Sequence, residues 1–346
     1  MKFELKKKPT ALNLEQTELV KKEFFSTGEL PLVVIPKVPG LALNQWIARE
    51  KNKIESDLKN FGAILFRGFD IFEVEHFEKV VKSFDPSLLS YKERSTPRTA
   101  VSDHVYTATE YPSDQYIPLH NENSYSHQFP LKLWFCCLVP PETGGETPIA
   151  DSRRVFSRLE PELVRLFNEK KVLYCRNFTT GIDLDWRTAF QTESRAEVEK
   201  YCREAEIDFE WKSNGGLQTR QIRPATIRHP QTNENVWFNQ AHLFHVSSLN
   251  ESLKRDLLET TPAGALTRNA YFGDGSEISE SILHEIRDVY GSCQIQFKWE
   301  KGDVLLVDNI LTCHARNPFT GRRRIVVAMS ELFNSGSRTP VDASKD

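Results

Sequence analysis

The longest uninterrupted apolar run in the chain is Leu133 to Val139, seven residues that stop at Pro140-Pro141. A run of that length, closed by turn-forming residues, reads as a buried strand and falls well short of the ~20 residues a membrane-spanning helix needs. The chain must therefore bury a sheet. Its 346 residues, 39% of them apolar, are enough for a substantial core without staples.

Charge and cysteine usage narrow the function classes. A net charge of −3 gives no global field toward nucleic acid or an anionic membrane. Six cysteines with no C-x-x-C spacing and one adjacent pair, Cys136-Cys137, suggest neither a zinc site nor a disulfide framework, and predict a reducing, cytoplasmic location. Met1 to Pro9 carries four lysines but no following apolar run, so it fails as a signal peptide. Lys6, Lys7 and Lys8 read as a solvated tail.

Periodicity along the chain predicts helices over 42–60 and 72–84, with a strand from Gly62 to Gly68 between them. Residues 99–114 are polar and read as a loop or lid arm. Strands follow over 132–139 and 146–151, divided by a turn at 140–145. Helical patterns cover 153–169, 194–206, 253–259 and 280–290, while 218–227 and 234–239 alternate as strands do. Strand patterns return over 293–299, 303–308 and 323–332. Strands at both ends of a helix-bearing insert predict a mixed α+β fold. We expect one domain over 1–346, with about 1–35 as an N-terminal extension and about 152–290 as a helical or lid insert. A β-sandwich or jelly roll would bring its two ends together.

Those two ends carry residues that can hold a metal. The sequence contains His120-Asn121-Glu122 and, far downstream, His314. Two imidazoles and a carboxylate with open positions form the ligand set of non-haem iron oxygenases. H-x-E alone is weak, because nine histidines should produce about one by chance, and His76-Phe77-Glu78 is a second instance. Context separates them, since residues i and i+2 share a face on a strand but diverge by about 200° on a helix. His76 sits in a helical stripe with Phe72, Phe77, Val80, Val81 and Phe84, whereas His120 lies near β-branched and aromatic residues with no helical stripe. A strand end or edge suits His120.

His314 follows the apolar strand and precedes a Pro/Gly turn and the basic stretch Arg322-Arg323-Arg324. A lone histidine in such a place is commonly structural. Arg324, however, can return to the same site after a hairpin and hold a carboxylate in a bidentate pair. Strand parity lets only one of Arg323 and Arg324 face inward.

At these residues the chain resembles the taurine dioxygenase family of iron(II)- and 2-oxoglutarate-dependent oxygenases. The resemblance runs from Gly62–Phe69 to Glu331. It looks most like the syringomycin-biosynthesis (aspartyl) hydroxylase subgroup, through His120–Tyr125, Gly144–Pro148, Trp237–His245 and His314–Phe319. The resemblance implies a double-stranded β-helix, a jelly roll with flanking helices. It makes His120, Glu122 and His314 the iron ligands, and Arg324 with Thr147 the holders of 2-oxoglutarate's distal carboxylate. Arg324 is preferred to Arg323 because it directly precedes the apolar strand, as the family's arginine does. Two departures stand out. Taurine dioxygenase has an aspartate ligand where this chain has Glu122, and its sulfonate-binding arginine would fall at Ala328.

The resemblance further implies iron(II), with 2-oxoglutarate and dioxygen as cosubstrates, in an enzyme that releases succinate and carbon dioxide. Glu122 favours hydroxylation over halogenation, since related halogenases replace the acidic ligand with a small residue. The expected substrate is an amino-acid-like or other small polar biosynthetic intermediate, free or tethered to a carrier protein, with no nucleic acid or membrane involved. Arg98, Asn239 and His242 are candidate substrate contacts, against surface or packing roles. His242 and His245, at i and i+3, could also share a helical face as a second metal site. A desaturase or cyclase with the same iron centre, and a non-catalytic jelly-roll binding module, are the alternatives; a complete triad speaks against the module.

Overall fold

The computed structural model describes residues 18–25, 30–89, 93, 101–102, 104–108, 111–178 and 184–335. Seven strands form a major sheet in the order Val20–Glu23, Leu32–Pro36, Ala63–Phe66, Val304–Asp308, Gln128–Val139, Arg324–Asn334, Val105–Thr107. The apolar run at 133–139 is thus a central strand, and neighbours on each side cover its backbone groups. Val20–Glu23 and Leu32–Pro36, in the region expected as an N-terminal extension, add two strands at one edge, and Val105–Thr107 closes the other from within the expected loop.

Period-two alternation divides this sheet's side chains between two cores. Ile64, Phe66, Trp134, Cys136, Leu138, Val304, Leu306, Val326 and Ala328 face two helices. Ala63, Leu65, Leu133, Phe135, Cys137, Leu305, Val307, Ile325 and Val327 face the other way. The first helix, Leu43–Phe61, buries Leu43, Trp46, Ile47, Ile54 and Leu58, the spacing of one helical face. It ends at Gly62, whose φ of +74° suits glycine and where a Cβ would lie 2.3 Å from Thr312 Oγ1. The second, Val74–Phe84, buries Phe77, Val80, Val81 and Phe84, with Phe84 edge-on to Trp134 at 5.3 Å. Phe72 lies outside this helix and His76 points to solvent, so the second H-x-E is a surface feature.

A minor sheet of Ile117–His120, Thr312–Arg316 and Ile149–Asp151 packs over the inward face; Ile149 joins the same cluster as Phe135 and Leu305. Residues 293–299 are not a strand. Cys293 ends the helix Glu280–Cys293, and one bridge, Ile149 to Ile295, is all the pairing that follows. The alternating Ile295, Phe297 and Trp299 reflect side chains turned into the inner core rather than a ladder.

Residues 152–290 carry an antiparallel sheet as well as helices, in the order Asp208–Trp211, Leu217–Arg223, Val172–Phe178, Arg268–Phe272. Two prolines break expected elements. Pro161 opens a new helix, so 153–169 becomes Ser152–Arg158 and Pro161–Lys170; Pro224 divides 218–227 into Leu217–Arg223 and Thr226–Arg228. All six cysteines are free thiols. Among the described residues no helix is long and apolar enough to cross a membrane.

Candidate metal centre

His120 ends its strand and pairs directly with His314 on the neighbouring antiparallel strand, so the ladder itself brings the imidazoles together. Their ring centroids are 4.4 Å apart. Glu122 follows in the turn, and its Oε2 lies 3.8 Å from His314 Nε2. One donor atom from each residue falls within 4.8 Å of the others, and this is the one such group of three or more found among the described residues.

The donor set fits a divalent cation. His120 Nδ1 lies 2.8 Å from the Pro118 carbonyl oxygen, which can only accept, so Nδ1 carries the proton and Nε2 is the basic nitrogen. Glu122 is 5% exposed, a depth at which an ionised carboxylate needs a compensating charge. Phe135 of the major sheet packs on the His314 ring at 5.1 Å and walls off that side.

A pocket opens beside the histidines, lined by Ala108, Ile117, His120, Phe135, Thr147, His314, Ala315, Arg316 and Arg323. Thr147 lines this pocket, its hydroxyl accepting from Trp299 Nε1 at 3.1 Å and from Arg323 Nη2 at 3.5 Å. Arg324 is exposed and does not line the pocket. A register shift between Arg324 and Ile325 breaks the simple alternation of the strand there, and it is Arg323, just before the strand, that lines the pocket. Arg323 Nε also donates to the Gly145 carbonyl at 2.9 Å. Burial, with Arg316 close by, lowers its guanidinium to about 10, so it stays charged at neutral pH. No ion pair to Arg323 occurs among the described residues.

Two of the expected substrate contacts, Asn239 and His242, do not line this pocket. Asn239 is fully buried; its amide donates to Ala225 O at 2.9 Å and its carbonyl accepts from Ala241 N–H at 3.1 Å. His242 Nε2 lies 2.9 Å from Leu119 O and its ring packs on Tyr290, so it braces the strand behind His120 instead of lining the pocket. His245 caps a short turn through Ser247, and among the described residues it joins no group of metal-type side chains. Trp237, Phe238 and Phe244 are core residues, as packing predicts. Arg98 lies outside the described residues.

Sequence reasoning missed Arg316, whose guanidinium donates to the carbonyls of Tyr111 (2.8 Å), Pro112 (2.6 Å) and Gln115 (2.6 Å), tying the approach to His120 against the His314 strand. It also missed Asn309, although Asp308-Asn309 directly after an apolar strand is a turn signal.

Comparison with known proteins decides the class. The family described as taurine catabolism dioxygenase TauD, TfdA family, matches residues 28–329. The chain belongs to that family. It is a dioxygenase, and iron(II) with 2-oxoglutarate matches both the family and the His–Glu–His donor set. The dapdiamide synthesis protein DdaC of Enterobacter agglomerans is 42% identical over 288 residues, 83% of this chain and 88% of that protein. A clavaminate synthase-like protein of Arabidopsis thaliana is 32% identical over 336 residues, 92% of this chain and 98% of that one. Among solved structures, PvcB, an Fe, alpha-ketoglutarate dependent oxygenase from an isonitrile synthetic pathway, aligns with a TM-score of 0.54 at 14% identity, covering 92% of this chain and 95% of that one. At that identity the likeness speaks to the fold.

Proposed function

We propose that this dioxygenase hydroxylates an unactivated C–H bond of an amino-acid-like or small polar biosynthetic intermediate, free or carrier-tethered. The observation that carries the reading is His120, Glu122 and His314 converging beside the half-buried, charged Arg323. His120, Glu122 and His314 would hold iron(II), which supplies the activation of dioxygen coupled to decarboxylation of 2-oxoglutarate to succinate and carbon dioxide. Arg323, in place of Arg324, takes the distal carboxylate of 2-oxoglutarate together with Thr147, in a charge-assisted pair that burial strengthens. The Pro118 carbonyl sets the tautomer of His120, and Phe135 keeps water from the far side of His314.

Glu122 supports hydroxylation over halogenation, because its carboxylate fills the position a halide would need. Against a sulfonate substrate stands the residue four beyond Arg323: it is Val327, which faces the inner core, while Ala328 faces the helices. The dapdiamide-synthesis relative supports a biosynthetic amino-acid-type substrate. We read the two packed sheets as a jelly roll, the whole chain as one cytoplasmic oxygenase domain, and 152–290 as an insert between its core strands.

The test is anaerobic addition of ferrous iron and 2-oxoglutarate to the protein. A visible metal-to-ligand charge-transfer band is expected in the parent and absent from Glu122→Ala; no band in the parent sinks the assignment. Product analysis with candidate amino acids, coupled to succinate formation, then separates hydroxylation from desaturation or cyclisation.

A further inference from the structure

We infer that Asn309 is the positioning residue that fixes the acidic metal ligand. The inference rests on the iron reading of the same site and concerns how Glu122 is held there. His120 and His314 are cross-strand neighbours, and the ladder places them. Glu122 lies two residues beyond the last rung of that ladder, in a turn that continues through Asn123 at a φ of +54°.

The Asn309 side chain supplies what the ladder lacks. Its Oδ1 accepts from the Glu122 N–H at 2.7 Å, and its Nδ2 donates to the Glu122 carbonyl at 2.9 Å and to the Pro130 carbonyl at 2.9 Å. One carboxamide thus takes both backbone groups of Glu122, as a paired strand residue would. The same amide ties the turn to the central strand Gln128–Val139.

Asn309 is itself immobilised. It is fully buried, its N–H donates to Leu131 O at 2.8 Å, and its carbonyl accepts from Asn121 Nδ2 at 2.7 Å. The preceding Asp308 accepts from the amides of Ile310 and Leu311 and lies 3.1 Å from His229 Nε2, which makes the turn carrying Asn309 rigid. The backbone next to one ligand is therefore set by the turn that leads to another, His314, and the three donors are held by one connected frame. Support of this kind behind a metal ligand is worth about 10- to 100-fold in metal affinity.

Asn309→Asp keeps the shape and the acceptor but loses both donated bonds, and Asn309→Ala loses all three. Val80→Ala, in the helix-facing core far from the site, is the control for general loss of stability. Cobalt(II) titration of the full chain, followed by its visible d–d bands without 2-oxoglutarate, reads the site independently of turnover. We expect binding about 10- to 100-fold weaker in both Asn309 variants, with altered bands, and unchanged binding in Val80→Ala. Parent-like cobalt binding in the Asn309 variants, or an equal loss in Val80→Ala, overturns the inference while leaving the iron reading intact; a parent that binds no metal overturns both. Amide exchange of the metal-free parent gives a readout that needs no variant. The Glu122 amide should be protected like those of the central strand, and fast exchange there overturns the clamp.

Discussion

The hydroxyl of Thr147 accepts at once from Trp299 Nε1 at 3.1 Å and from Arg323 Nη2 at 3.5 Å, and this pairing makes Arg323, not its neighbour Arg324, the cation of the pocket. The two arginines should then behave differently. Arg323→Ala should raise the KM for 2-oxoglutarate by about 30- to 200-fold, the ~2–3 kcal/mol of a half-buried charge-assisted hydrogen-bonded contact. Arg324→Ala should stay within about twofold, as befits an exposed charge. Steady-state kinetics in varied 2-oxoglutarate decide it, and a larger effect at Arg324 would reverse the assignment.

Gly144 and Gly145 position that arginine. Thr143–Gly144 pairs with Phe319–Thr320, and Gly144 has a φ of +65° with space for a Cβ only 2.2 Å from the Pro318 carbonyl. Gly144→Ala should push the ribbon away and move the Gly145 carbonyl off Arg323 Nε. We expect a stability loss of about 1–3 kcal/mol and a higher KM for 2-oxoglutarate, with metal affinity little changed. Metal affinity falling in step with cosubstrate affinity would argue that the ribbon supports the triad instead.

His242 should make the protein acid-sensitive. Burial lowers its pKa from 6.5 to about 3, so the fold holds it neutral while the unfolded chain protonates it below about 6.5. The stability it allows is fully present above that value and declines as pH falls from 6.5 toward 3. At pH 5 the loss is about 2 kcal/mol relative to pH 8. His245, lowered to about 4 chiefly by burial, acts in the same direction. Urea midpoints at pH 8 and pH 5 should differ less in His242→Gln than in the parent; identical differences would remove His242 as a cause.

Phe84 tests the packing of helix on sheet. It is 1% exposed and sits edge-on to Trp134, so Phe84→Ala should destabilise by about 3–5 kcal/mol through lost burial and the cavity left behind. Calorimetry should show the melting temperature falling by several degrees or more. A change below about 1 kcal/mol would mean that the helix repacks to fill the space.

Much of the fold was legible because local signals and tertiary context agreed. The helix Leu43–Phe61, the strand Ala63–Phe66 and the central strand Gln128–Val139 all matched their apolar patterns. Agreement failed where apolar spacing had another cause. Residues 293–299 alternate because Phe297 and Trp299 turn inward from an irregular segment, and 20–36 was too short and mixed in pattern to reveal its edge strands. Asn239 and His242 are polar residues in an aromatic stretch, which suggested a pocket; the structure uses both to satisfy buried backbone groups instead.

By itself the sequence determined the metal chemistry. His120, Glu122 and His314 could be picked out because their residue types, and the order of motifs around them, resemble the family's, and a decoy at His76 sits in a helical stripe. The expected shared strand face is not what joins His120 and Glu122, since Glu122 lies in the turn after the strand. Only the tertiary structure decided which arginine faces Thr147 and what holds Glu122 in place. The first depends on a register shift at the start of the last strand, the second on an amide from Asn309 arriving 187 residues downstream. Neither leaves a mark in the neighbouring sequence, because each is a relation between segments that meet only when the two sheets pack.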